Sequence, residues 1–169
     1  MMPLHFKEIT EAPAPFFNLL PPDWQEGIVP QWPIYQSTAR IFALKKKGEI
    51  HCGGIVFPTV SPDTQAYREE AQGWFGRGFL YIGFLFVPEK YRGKRYGTTW
   101  LEALEKQFPG QAFWLAIDEY GLHNFYEKNG FQLVKQVTGE FGPEWILERA
   151  ANAGITTPPP APPPFSKRR

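Results

Sequence analysis

VPEKYRGKRYGTTWLEAL, residues 87–104, passes from the end of an apolar run, through a basic turn with two glycines, into a helical repeat. Beyond the turn Trp100, Leu104 and Phe108 recur every four residues with Leu101 beside them, and Pro109 and Gly110 end the pattern, so an amphipathic helix follows. Ahead of it, FLYIGFLFV (79–87) is an almost unbroken apolar and aromatic run, as expected of a central strand covered on both faces. A helix start presents unpaired backbone N–H groups and the positive end of its dipole. Arg92, Gly93, Lys94, Arg95, Tyr96 and Gly97 sit at that place, with glycines that admit close approach or positive φ and cations where phosphates would lie. Two readings stay open on the turn alone: an anion site, or a basic surface turn that precedes a helix. Neither GxGxxG nor GxxxxGK[ST] spacing is present, which removes the dinucleotide and P-loop readings.

Outward from this segment, AFWLAI (112–117) reads as the next buried strand, GLHNFYEKN (121–129) as a short helix, FQLVKQV (131–137) as a strand and EWILE (144–148) as the last one. On the N-terminal side, RIFALKKKGEIHCGGIVFPTV (40–60) holds two β-prone runs about Lys45, Lys46, Lys47 and Gly48, which predicts an antiparallel hairpin with a charged tip. Those lysines read as a solvated tip, with an anion or nucleic-acid patch as the alternative. Residues 4–9 read as a short strand, and residues 11–33 as a proline-punctuated region with short helices near 16–20 and 23–27. Residues 58–78 read as a long polar connection, of the kind that serves as a lid or binding loop. Strands followed by helix, strand, helix alternation imply an α/β (α+β) class, a mixed sheet flanked by helices. The domain is expected to span 1–150. Residues 151–169 form a Pro-rich tail, read either as a solvated extension or as a ligand for an aromatic groove.

A chain of 169 residues that is 43% hydrophobic and 17% aromatic has ample material for one core. Eighteen Lys and Arg against seventeen Asp and Glu leave a charge of +1, which calls for no polyanion partner such as nucleic acid. One cysteine, Cys52, excludes an intramolecular disulfide, and the N-terminus lacks the basic-then-apolar layout of a secretory signal. No apolar run approaches the ~20 residues of a membrane-spanning helix. A cytoplasmic, soluble protein without a membrane partner is expected, as monomer or homodimer. His51 beside Cys52 invites a metal or nucleophile reading. Adjacent strand residues point to opposite faces and no second Cys or His cluster lies near, so both are expected to be structural, with no metal.

Residues 92–97 match the first and last defined positions of a [QR]xxGx[GA] turn, and Val87, Glu89 and Tyr91 resemble the usual approach to it. FYEKNGF (125–131) is similar to a second block, FYEKxGF, and the two occur in family order and spacing. On these residues the segment 79–137 resembles the core of the GCN5-related N-acetyltransferase superfamily. The resemblance implies that superfamily's acyl-CoA N-acyltransferase fold, with a mostly antiparallel sheet, and acetyl-CoA as acyl donor with no metal. The donor would lie in a wedge between the strand ending at Val87 and the strand 112–117. Its pyrophosphate would rest on Arg92, Gly93, Lys94, Arg95, Tyr96, Gly97 and Thr98, and its pantetheine on the main chain of Leu85, Phe86 and Val87. That main chain would also stabilise the oxyanion while a primary amine, of a small molecule or a protein, attacks directly. Tyr126 matches the tyrosine that protonates the departing thiolate; its other reading is an interior packing residue.

Two positions depart from the family pattern. Arg95 stands where glycine is usual, so its Cβ would strain the turn or narrow the cradle, or its guanidinium would contact a phosphate. Glu119 stands where many members carry asparagine. For the general base the sequence offers Glu69, Glu70, Asp118, Glu119, Glu140 or a water chain without ranking them. His123, one helical turn before Tyr126, faces the same site or the surface. Trp24, Trp32, Tyr35, Trp74 and Phe75 line an acceptor pocket or pack the core. The competing function is a non-catalytic acyl-CoA-binding or protein-interaction module on the same fold.

Overall fold

The computed structural model describes residues 3–151; the Pro-rich tail read from the sequence lies outside the described residues apart from Ala151. Seven strands make one sheet: β1 (His5–Glu8), β2 (Arg40–Lys46), β3 (Glu49–Phe57), β4 (Leu80–Phe86), β5 (Phe113–Ile117), β6 (Gln132–Gly139) and β7 (Gly142–Arg149). Their order is β1-β2-β3-β4-β5-β7-β6. Only β4 and β5 pair in parallel. A parallel pair needs a crossover, and α5 (Tyr96–Gln107), the helix announced by the opening stretch, provides it. The class read from the sequence, a mixed and mostly antiparallel sheet flanked by helices, is the one observed.

Local chemistry explains most elements. At the β2–β3 tip Lys47 and Gly48 both have positive φ, 54° and 79°, as a two-residue turn requires to follow the strand twist. In the proline-punctuated region α1 (Ala14–Phe17), α2 (Pro22–Ile28) and α3 (Trp32–Tyr35) each carry proline in the first turn, where its missing N–H costs nothing. Residues 58–78 are no loop. A 3-10 turn (Pro62–Tyr67) runs into α4 (Arg68–Gly76), with the Ser61 and Thr64 side chains capping its start reciprocally. The helical signal was Tyr67, Ala71 and Trp74, an i, i+4, i+7 stripe that is buried while the residues around it are polar.

Helices cover both faces of the sheet, and two adjacent glycines in β3 set how closely. A Cβ on Gly53 would lie 2.5 Å from the Phe16 ring of α1, and one on Gly54 would lie 2.8 Å from the Trp100 ring of α5. Trp100 is fully buried and its Nε1 donates to the Phe42 carbonyl at 3.0 Å. Truncating so large a buried side chain to alanine costs about 3–5 kcal/mol. The strand read as covered along its whole length is buried over Tyr81–Gly83 but half-buried from Phe84 to Val87. Something opens the sheet there.

Candidate active site

β4 and β5 share a ladder only at Leu80–Phe113 and Tyr81–Trp114, although both strands run on. The cause lies on the other edge of β4. Gly53 pairs with Phe86 and Ile55 with Gly83, so two steps along β3 are matched by three along β4, and β4 carries a bulge. Phe84 sits in it at φ 56°, a strained value for an aromatic residue. Its ring is held by Trp24 of α2 at 6.0 Å and Phe57 at 6.4 Å. Beyond the bulge β4 forms no further pair with β5. A wedge opens between them, with the main chain of Leu85, Phe86 and Val87 on one wall.

The basic turn lies at the mouth of this wedge. Gly93 has φ 79°, and Arg95 occupies the left-handed region at φ 65°, ψ 21° as the residue capping α5. The backbone strain foreseen for a side chain at 95 is therefore present. The first turn of α5 has no side-chain cap, so the N–H groups of Tyr96, Gly97 and Thr98 stay available to an anion. Arg92 folds back: its Nε donates to the Val87 carbonyl at 2.8 Å and its guanidinium lies 5.3 Å over the Phe86 ring. Lys94 and Arg95 are exposed. Gly97 also needs its missing side chain for packing. It is helical, and an added Cβ would meet the Phe125 ring at 2.9 Å, so it seats α6 (His123–Lys128) on α5. Asn129 reinforces that seat by donating to the Phe125 carbonyl at 2.9 Å and to the Thr98 hydroxyl at 3.4 Å.

Tyr126 of α6 is buried between Phe125 and Phe131, yet its hydroxyl has no hydrogen-bond partner among the described residues. Burial, and then the neighbouring Cys52, raise its pKa above the usual phenol range, so the hydroxyl is held protonated. His123 turns elsewhere: its Nδ1 lies 3.0 Å from Glu127 and its ring rests on Tyr120 at 4.4 Å.

An acidic cluster lies beside the base of the wedge, where Tyr81 donates to Asp63. Continuing the β5–β7 register beyond Ile117–Trp145 sets Asp118 beside Glu144. Glu144 accepts from the Tyr67 hydroxyl at 2.7 Å, and Asp63 accepts from Tyr81 at 2.5 Å and Ser61 at 2.6 Å. Burial raises the pKa of Glu144 and the charges of Asp63 and Asp118 add to it, against the hydrogen bond from Tyr67. Asp63 is raised as well, by desolvation of its carboxylate, although the residue as a whole is exposed. Asp63, Tyr67, Tyr81 and Glu144 are not among the candidates the sequence offers. The one available signal was the alternation of Glu144, Ile146 and Glu148 along β7, two acids in line with a buried residue. Of the carboxylates that were candidates, Asp118 is the one whose charge acts on Glu144, while Glu69 and Glu70 occupy the first turn of α4, Glu119 precedes the 3-10 turn Tyr120–Leu122, and Glu140 is at the β6–β7 tip.

Among the aromatic residues considered for an acceptor pocket, Trp24 reaches the wedge, against Phe84 and Phe86. Tyr35 packs on Phe57 at 5.7 Å. Trp32 is buried against Phe17, and Trp74 and Phe75 pack on Trp114, so these three serve the core.

A family model described as the acetyltransferase (GNAT) family matches residues 6–131. Among solved structures, an aminoglycoside acetyltransferase in complex with coenzyme A and kanamycin is similar at 18% identity and TM-score 0.65, over 89% of this chain and 96% of that one. An aminoglycoside 6'-N-acetyltransferase complexed with coenzyme A gives 15% identity and TM-score 0.66, over 92% and 99%. An acyl-CoA N-acyltransferase from Pseudomonas aeruginosa gives 13% identity and TM-score 0.59, over 89% and 100%. At such identities the likeness is one of fold. No curated protein matches the sequence.

Proposed function

Because the chain belongs to the acetyltransferase (GNAT) family, we propose that it transfers the acetyl group of acetyl-CoA directly to a primary amine of a small molecule or protein. The observation that carries this reading is the wedge itself, paired at its base by Leu80–Phe113 and Tyr81–Trp114, open beyond them, and with the uncapped start of α5 at its mouth. The solved relatives crystallised with coenzyme A support acyl-CoA as the donor.

In this reading Arg92, Lys94 and Arg95 supply positive charge, while the N–H groups from Gly93 to Thr98 receive the pyrophosphate. The main chain of Leu85, Phe86 and Val87 pairs with the pantetheine arm. Main-chain donors there also meet the oxygen that gains charge on the thioester carbonyl, and preorganised donors of this kind are worth about 3–4 kcal/mol. The amine nitrogen bonds to the acetyl carbon as the carbon–sulfur bond breaks, with no acyl-enzyme. Tyr126 gives its proton to the departing sulfur, for which its unpartnered hydroxyl is suited. On the acceptor face the Asp118 and Glu144 pair removes the proton that the attacking ammonium must lose. Its half-buried partner, Glu144, has the raised pKa that brings a carboxylate towards the working pH of a base. Trp24, Phe84 and Phe86 form the apolar side of the acceptor approach.

Thermal unfolding with acetyl-CoA, free CoA and ATP tests the donor site. Ligand at a hundred times its dissociation constant adds ~2.7 kcal/mol to stability. The expected result is a rise with both CoA species, reduced in Arg92→Ala. Free thiol release across an amine panel then separates a transferase from a non-catalytic acyl-CoA binder, and no rise with either CoA species would end the donor reading.

A further inference from the structure

A second bulge lies at the same end of the sheet. Leu44 faces Cys52 and Lys45 faces Ile50, so one step along β2 is matched by two along β3, and His51 is the residue left without a partner across the ladder. Simple alternation sends His51 to the face opposite Cys52 and gives it nothing to do. The bulge re-aims it. Its ring lies flat on Tyr91, with centroids 3.7 Å and planes 10° apart, and meets Tyr96 edge-on at 4.9 Å and 82°.

Tyr91 is the last residue of the 3-10 turn (Glu89–Tyr91) before Arg92, and Tyr96 is the first residue of α5. One side chain from β3 therefore grips both ends of the turn 92–95. That turn needs outside support: Gly93 and Arg95 hold positive φ, and among the described residues no backbone hydrogen bond is donated by Gly93, Lys94 or Arg95. The clamp is tied down further by the Tyr91 hydroxyl, which donates to Glu49, and by Lys90 at 3.9 Å from the same carboxylate. His51 is only 7% exposed and its Nδ1 has no hydrogen-bond partner among the described residues.

We propose that His51 is a positioning residue for the phosphate-binding turn, holding residues 92–95 in ligand-ready shape by clamping Tyr91 and Tyr96. This rests on the reading that the turn receives the pyrophosphate of acyl-CoA. The ring acts as an aromatic plate and its acid–base chemistry is not required, which separates the role from an incidental core histidine.

The test uses the full chain and two readouts. The turn contains three trypsin sites, Arg92, Lys94 and Arg95, so cleavage there, followed by mass spectrometry in the absence of ligand, reports its shape without any assumption about CoA. Titration with free CoA reports the consequence. Loss of two aromatic contacts predicts that His51→Ala is cut at the turn about tenfold faster and binds CoA about tenfold more weakly. His51→Phe, which keeps the plate and removes the nitrogens, should restore both to within about twofold of wild type. Should His51→Ala fail to fold, Tyr91→Leu, at a half-buried surface position, must give the same acceleration. Equal cleavage of the turn in wild type and in the folded Ala or Leu variant overturns the proposal, as does a folded His51→Phe protein that behaves like His51→Ala. A wild-type protein that ignores CoA would instead sink the acetyl-transfer reading, leaving the cleavage comparison to decide the clamp.

Discussion

Arg95→Gly should make this protein more stable, although it removes a charged side chain and adds backbone freedom. Arg95 sits at φ 65°, ψ 21°, and its side chain makes no hydrogen bond, ion pair or ring contact among the described residues. Holding an L residue in the left-handed region costs about 1–2 kcal/mol, which glycine does not pay. Against this, glycine gives the unfolded chain more entropy, worth about 0.4–1 kcal/mol. The difference is a gain of about 0.5–1 kcal/mol, or roughly 1–4 °C in unfolding temperature for a chain of this length. Calorimetry of wild type and variant without ligand is the assay, with Gly93→Ala as mirror control. Gly93 has φ 79° and open space around it, so alanine there adds strain without a clash and should lower the midpoint. A fall in midpoint for Arg95→Gly would refute the reasoning, because it would mean that Arg95 makes a stabilising contact or lies outside the left-handed region. The same variant decides the remaining alternative for this side chain: a guanidinium that touches phosphate would show as weaker CoA binding with a shallower salt dependence.

Tyr126→Phe should slow acetyl transfer by about a hundredfold or more, the scale of a general acid, while CoA affinity and unfolding temperature stay close to wild type. Steady-state rates beside a CoA titration check this, and an unchanged rate would return Tyr126 to the core. For Glu144 the folded pKa lies above the unfolded one, so its contribution is full in acid and is lost as pH rises through the folded value. Glu144→Gln keeps an acceptor for Tyr67 without the charge; it should unfold at a higher temperature than wild type at neutral pH, the gain vanishing near about pH 4. Parallel melts across that range would show it. Trp100→Phe removes the donor to the buried Phe42 carbonyl and should cost about 1–3 kcal/mol, read as a lower urea midpoint with an unchanged slope.

What the sequence by itself determined is what neighbouring residues determine. The strand into the basic turn, the helix behind it and the FYEKNGF helix are each specified by apolar spacing, glycine, proline and charge within a few positions, so they are legible in one dimension. The hairpin tip at Lys47 and Gly48 is legible for the same reason. The structure alone decided whatever depends on how two distant segments are aligned. The bulge that opens the wedge is a mismatch of count between β3 and β4, and the unbroken apolar run 79–87 has no alternation to betray it. The bulge at His51 is a mismatch between β3 and β2, and it overturned an argument from alternation that holds only for an unbroken ladder. Asp118 and Glu144 become a pair because β5 and β7 lie side by side, and the raised pKa of Glu144 comes from burial that no local pattern encodes. Side-chain direction in a sheet is set by register, register is settled between strands, and so the turn was readable in the sequence while the two bulges and the Glu144 cluster beside it were not.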